Sequence, residues 1–172
     1  RGTPTRIWLD WVFAEVFAMD VRLDGETSDL YFDTITEALA TDVFRPRALF
    51  DRYGIEVIAT TESPLDSLEH HQTIRSENAR TGGWQGRVLT AYRPDPVVDP
   101  EYADSNGGFR HNLTRFSELT GEDCLSWRGY LAAHRRRRAF FAAMGATSTD
   151  HGHPTAQTAD LPPADAEALF RK

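Results

Sequence analysis

Three short segments of strand-like texture, residues 55–60 (IEVIAT), 87–92 (RVLTAY) and 146–150 (ATSTD), are separated by stretches of helical patterning. Strand and helix in repeated alternation leave few folds open. Successive strands joined through helices lie parallel, and parallel βα units carry their functional groups in the loops beyond the strands' C-terminal ends. Three corners are therefore in question, at residues 60–64, 92–95 and 149–153.

Around these corners the remaining chain reads as follows. Thr3-Pro4 supplies an N-cap and a first helical position for a helix over residues 4–19. The apolar positions Ile7, Trp8, Trp11, Val12, Phe13, Val16 and Phe17 are too many for one stripe, so this helix is expected to be buried on much of its circumference. Further helices are expected over 28–41 and 45–53, the latter stopped by Gly54. After the first strand, Ser63-Pro64-Leu65-Asp66 reads as a helix start (hydroxyl cap, Pro at the first position, carboxylate at the third) leading to about residue 78. In "RPDPVVDP", Pro94, Pro96 and Pro100 predict the end of regular structure. Helices over 112–119 and 122–144 precede the third strand, and a last helix begins near Pro163. The expected division is a helical lead-in over 1–54 and three βα units over 55–172.

Composition narrows the function. With 40% hydrophobic and 11% aromatic residues in 172, the chain has enough apolar material for one ordinary domain. No apolar run approaches the roughly 20 residues of a membrane span. A net charge of −7 argues against phosphate backbones and anionic membranes as partners, and the expected setting is cytoplasmic. Cys124, the single cysteine, excludes an internal disulfide and a zinc site built on several cysteines. All but one of the 19 basic residues are arginine, the exception being Lys172. Schiff-base chemistry and a P-loop both need a placed lysine, whereas arginine grips planar anions with two prongs.

At the first corner Thr60 and Thr61 are candidates to face a ligand, with Ser63 and Asp66 occupied in turn and cap bonds. His70 and His71, further along, are read as packing or surface residues. At the second, Arg93 lies just beyond a strand end and is locked by Pro94, placed to grip a carboxylate; the competing reading is an ion pair with Asp95 or another loop acid. Tyr92 beside it is a packing residue or a hydrogen-bond donor. The third corner, "TDHGH", offers Asp150, His151 and His153 as metal ligands or as acid–base groups, against a plain polar loop. His111 and His134 are read as structural. The run "HRRRR" at 134–138 wraps a full helical turn, so it makes no single basic stripe and is expected to reach water along apolar stems.

Taken in order, "ATTESPLDSLEHH", "VLTAYRPD" and "GATSTDH" resemble the corners of the uronate (glucuronate) isomerases of the amidohydrolase superfamily. "TPTRIWLDWVFAEVF" and "RPRALFDRYGIEVIATT" look similar as well. The resemblance implies a (β/α)8 TIM-type barrel of which this chain holds about three units. It also implies interconversion of an aldose uronate such as D-glucuronate with its ketose, D-fructuronate (or D-galacturonate with D-tagaturonate), by proton transfer from C2 to C1 through an enediol. Arg93 matches the Arg of the family's "RPD" motif, which is expected to hold the substrate. Tyr92, Thr60, Thr61 and Asp150 are its candidate companions, and His151, matching the family's "DH" corner, is the candidate catalytic group. The divalent metal of such enzymes is bound by a His-x-His on the first barrel strand and a late Asp, with no counterpart here, and "HGH" at 151–153 is not that motif. The chain is therefore expected to be an internal piece that neither holds the metal nor turns over alone. Self-association of the whole enzyme is left open. Two other readings compete: a metal-dependent hydrolase with His151 and His153 as ligands, and a non-catalytic α/β module whose helical first third binds a partner.

Overall fold

The computed structural model describes residues 2–103, 107–152, 157 and 159–172. The backbone groups into two units, Arg1–Glu56 and Val57–Lys172. The first is helical: α1 (Pro4–Phe17), α2 (Ser28–Leu39), a 3-10 turn (Asp42–Phe44) and α3 (Pro46–Arg52). α1 begins as its sequence requires, with Thr3 Oγ1 accepting the Arg6 N–H at 3.3 Å. Phe13 meets the edge of Tyr31 with centroids 5.0 Å apart, and Phe17 stacks on Phe44 at 5.2 Å. Only this edge of α1 is engaged. Ile7, Trp8 and Trp11 are 65%, 62% and 54% exposed, so the expectation of a helix buried around its circumference is not met within the helical unit.

In the second unit β1 (Val57–Glu62) pairs in parallel with β2 (Arg87–Tyr92), from Val57 opposite Arg87 to Glu62 opposite Tyr92. β1 starts later than its apolar run suggests. The Ile55 N–H is still bonded to Phe50 O at the end of α3, and pairing continues through Thr61 and Glu62, which the sequence reads as corner. The expected third strand is reduced to a parallel bridge between Thr149 and Tyr92. Upstream of it the Ala146 N–H closes the end of α7 (Trp127–Ala143) on Phe141 O, so the ladder begins only at Ser148, whose carbonyl accepts the Tyr92 N–H. The architecture is mixed α/β with parallel pairing.

The first corner departs from expectation. Ser63 and Asp66 do exchange cap-like bonds: Asp66 Oδ2 accepts the Ser63 N–H at 2.8 Å, and Ser63 O accepts the Asp66 N–H at 3.0 Å. Yet the chain leaves this turn without becoming helical, and α4 (Glu69–Thr81) starts only after Leu68, which sits at φ 57°. Left-handed backbone costs a leucine roughly 1–2 kcal/mol, while burying its side chain contributes about 2–3 kcal/mol. Leu68 is buried against Tyr92 and Phe141, and burial wins. "RPDPVVDP" is also more regular than expected: Asp95–Val98 forms a one-turn helix, α5. Pro94 and Pro96 stand at its cap and first turn, where no intrahelical N–H is required. Val97, at its centre, is fully buried and packs with Leu113 and Phe116 of α6 (Gly108–Thr120), Cys124 of the turn that follows and Ala133 of α7. α6 starts before residue 112 and α7 after residue 122, where Ser126 Oγ caps the Gly129 N–H at 3.1 Å. The last helix, α8 (Pro163–Phe170), lies where its proline and acidic first turn place it. Among the described residues no helix is long and apolar enough to cross a membrane.

Candidate functional site

The C-terminal ends of β1 and β2 and the Thr149 bridge lie side by side. Glu62 O accepts the Arg93 N–H at 2.9 Å, and Tyr92 O accepts the Asp150 N–H at 3.1 Å. The three corners thus leave the sheet at one edge, beside a cleft of about 530 Å³ whose lining includes Thr61, Ser63, Arg93, Asp95, Tyr102 and Gly152.

Arg93 is the cation of this lining, and it is held. Its Nε donates to Asp95 Oδ2 at 3.0 Å and its Nη1 to Asp150 Oδ2 at 3.3 Å. The ion pair with Asp95 that the sequence offered as a competing reading is therefore present. It does not exhaust the guanidinium: the Arg93 side chain is 44% exposed, and Nη2 has no hydrogen-bond partner among the described residues. Asp150 also accepts from Thr61 Oγ1 at 3.3 Å, so Thr61, Asp150 and Arg93 form one chain of contacts at the rim.

Asp95 is the most enclosed acid here. Its Oδ1 accepts the Gly152 N–H at 2.7 Å while Oδ2 faces Arg93. Burial works against its charge, but the N–H groups of Gly152 and of Asp95 itself, with the Arg93 guanidinium, hold its carboxyl below the usual range. The sequence named it only as a partner for Arg93. Its bond to residue 152, 57 positions away, is a tertiary fact that no local pattern signals.

The other candidates divide by strand alternation. Thr60 lies on the face of β1 that packs on α4, where its hydroxyl meets His71 Nε2 at 2.9 Å and donates to Leu89 O at 3.3 Å. His71, read as remote from the strand, also lies 3.5 Å from Glu62, whose other oxygen accepts from Thr90 Oγ1. Tyr92 likewise points to the helical layer, only 2% exposed, its hydroxyl 2.8 Å from His134 Nδ1. Burial pushes the Tyr92 phenol well above its usual range. The fold does not bring Thr60 and Tyr92 together with Arg93 in the cleft. His151 leaves the same edge, with Nε2 3.1 Å from Thr149 Oγ1. His153 lies outside the described residues. Among the described residues no group of three or more His, Cys, Asp or Glu could hold a metal ion.

Two members of the arginine run have structural roles, one of them unexpectedly. Arg136 pairs with Glu122 and donates to Thr120 O, both at 2.8 Å. Arg137, expected in water, is buried: Nε donates to Pro64 O and Nη2 to Asp66 O, each at 2.7 Å, with its guanidinium carbon 4.3 Å from the Phe140 ring centroid. It fastens the first corner to α7.

A sequence model of the glucuronate isomerase family matches residues 1–172. The uronate isomerase of Sphingopyxis alaskensis is 72% identical over the whole of this chain, which covers 36% of that relative. The uronate isomerase of Phenylobacterium zucineum is 63% identical over the whole chain, covering 34% of its length. The crystal structure of the glucuronate isomerase from Caulobacter crescentus superposes with a TM-score of 0.86 at 54% identity, over 99% of this chain and 34% of that one. The chain spans about a third of the length of the relatives it matches.

Proposed function

Because the chain belongs to the glucuronate isomerase family, we propose that it supplies one rim of the sugar site in a protein that interconverts D-glucuronate and D-fructuronate, and related aldose and ketose uronates. In this reading β1, β2 and residues 146–150 are consecutive strands of a (β/α)8 barrel, residues 55–172 carry its three βα units, and residues 1–54 are a helical lead-in. Parallel register and the shared edge of the three corners support it. A cytoplasmic setting belongs to the same reading.

The observation that carries it is the state of Arg93: fixed on one side by Asp95, yet with donors on Nη1 and Nη2 still to offer at the strand ends. A two-pronged grip on the sugar's carboxylate anchors the end of the open chain remote from C1 and C2. In this reading Thr61 and Asp150 bond sugar hydroxyls, and His151 takes part in moving the proton. The described residues do not fit a divalent metal, since Asp95 and Asp150 both face Arg93 and no three ligands converge. In this reading a divalent metal of the whole enzyme would be held by residues other than those described, and would polarise the reacting oxygens. The family match does not favour the hydrolytic alternative.

The test is an aldose–ketose assay on the whole protein that carries this chain. D-Glucuronate should be converted, and Arg93→Ala should raise KM for it about tenfold or more, the loss of a charge-assisted bond worth roughly 1.5–3 kcal/mol. Activity on uronates with an unchanged KM in that variant would contradict the role of Arg93.

A further inference from the structure

The charges of the cleft pose a problem for an anionic ligand. Among the described residues, Asp66, Asp95 and Asp99 line it against Arg93 alone, and Asp150 stands beside them. A carboxylate next to an anion-binding guanidinium weakens its field, so on charge alone Asp95 opposes the binding of a uronate. Its bonds indicate what it does instead. One oxygen takes the Arg93 Nε and the other the Gly152 backbone N–H, so a single side chain ties the loop after β2 to the loop that carries Asp150 and His151. Space is tight at this joint: a Cβ on Gly152 would stand 2.9 Å from Arg93 Nη2 and 3.1 Å from Asp95 Oδ1. The Nε side of the guanidinium is thereby fixed, and its remaining donors are presented to the cleft.

We infer that Asp95 is a positioning residue for uronate binding: it orients the guanidinium of Arg93 and registers the third corner against the second, at the expense of local charge. This rests on the function proposed above. Asparagine in its place keeps one acceptor for two donors and turns an NH2 toward the other, so the joint cannot close on both sides.

The sign of the effect separates geometry from charge. In the whole protein, Asp95→Asn removes a negative charge from an anion site, and charge alone would lower KM for D-glucuronate. Positioning requires the reverse, a rise of about tenfold with kcat changed by less than about threefold. In an Arg93→Ala background the same substitution should cost nothing further, because Asp95 acts through Arg93. Gly152→Ala, which keeps Asp95 and has no left-handed backbone to strain, should raise KM in the same direction. It serves as the readout where Asp95→Asn fails to fold. An active protein whose KM falls or stays unchanged in Asp95→Asn, or whose two losses simply add, overturns the inference and leaves the function standing. A wild-type protein that isomerises no uronate overturns both.

Discussion

His134 sits where a histidine is least able to take up a proton. Tyr130 and Phe116 crowd its ring with centroids at 4.6 and 5.0 Å, Tyr92 meets Nδ1, and Nε2 is buried without a hydrogen-bond partner among the described residues. Burial, reinforced by the charge of Arg138, lowers its pKa from 6.5 to about 4. Unfolded, the imidazole protonates below about 6.5; folded, it stays neutral until about 4. Between those values the unfolded chain binds more protons, so falling pH removes stability, by up to roughly 3 kcal/mol from this group. His134→Gln abolishes that titration. Denaturation curves between pH 6.5 and 4 should therefore show a shallower loss in the variant than in the wild type. Parallel losses in the two would show that His134 does not titrate in this window.

At the scale of elements, the first corner is held less by its own residues than by α7. Arg137 reaches across to Pro64 O and Asp66 O, and its stem packs on Phe140 and Phe141. Arg137→Met keeps most of that packing but leaves the two carbonyls without their donor. A destabilisation of about 2–4 kcal/mol is expected in urea denaturation, most of it from the unpaired carbonyls. A change below about 0.5 kcal/mol would mean that water or neighbouring groups replace the clamp. This contact also shows where sequence reading stops. Helix α1 with its Thr3-Pro4 start, β2, the Gly54 stop and the parallel order of β1 and β2 were legible because each is written in local pattern. The late start of α4 was not, since Ser63-Pro64-Leu65-Asp66 carries valid start chemistry and only the pull of Leu68 into the core overrides it. The one-turn helix at Asp95–Val98 was hidden by its prolines. Of the site, the corners and Arg93 could be found from strand ends. Strand parity, which sends Thr60 and Tyr92 toward the helices and Thr61 toward Asp150, depends on where β1 and β2 pair, and Asp95's bond to Gly152 depends on the closed fold.

At the scale of the molecule, the two-stranded sheet has open edges among the described residues. β1 pairs on one edge only among the described residues, and β2 meets a single bridge on its far side. Open parallel strands are stable when further βα units cover them, and the relatives that this chain matches are about three times as long. In the barrel proposed here, the cleft beside Arg93 becomes one wall of a closed sugar site. The most direct measurement is a crystal structure of the whole protein with D-glucuronate or D-fructuronate bound. The sugar carboxylate should lie about 3 Å from Nη1 and Nη2 of Arg93, with Asp95 still bridging Nε and the Gly152 N–H. A carboxylate bound away from this rim, with Arg93 touching nothing but its two aspartates, would contradict the central claim.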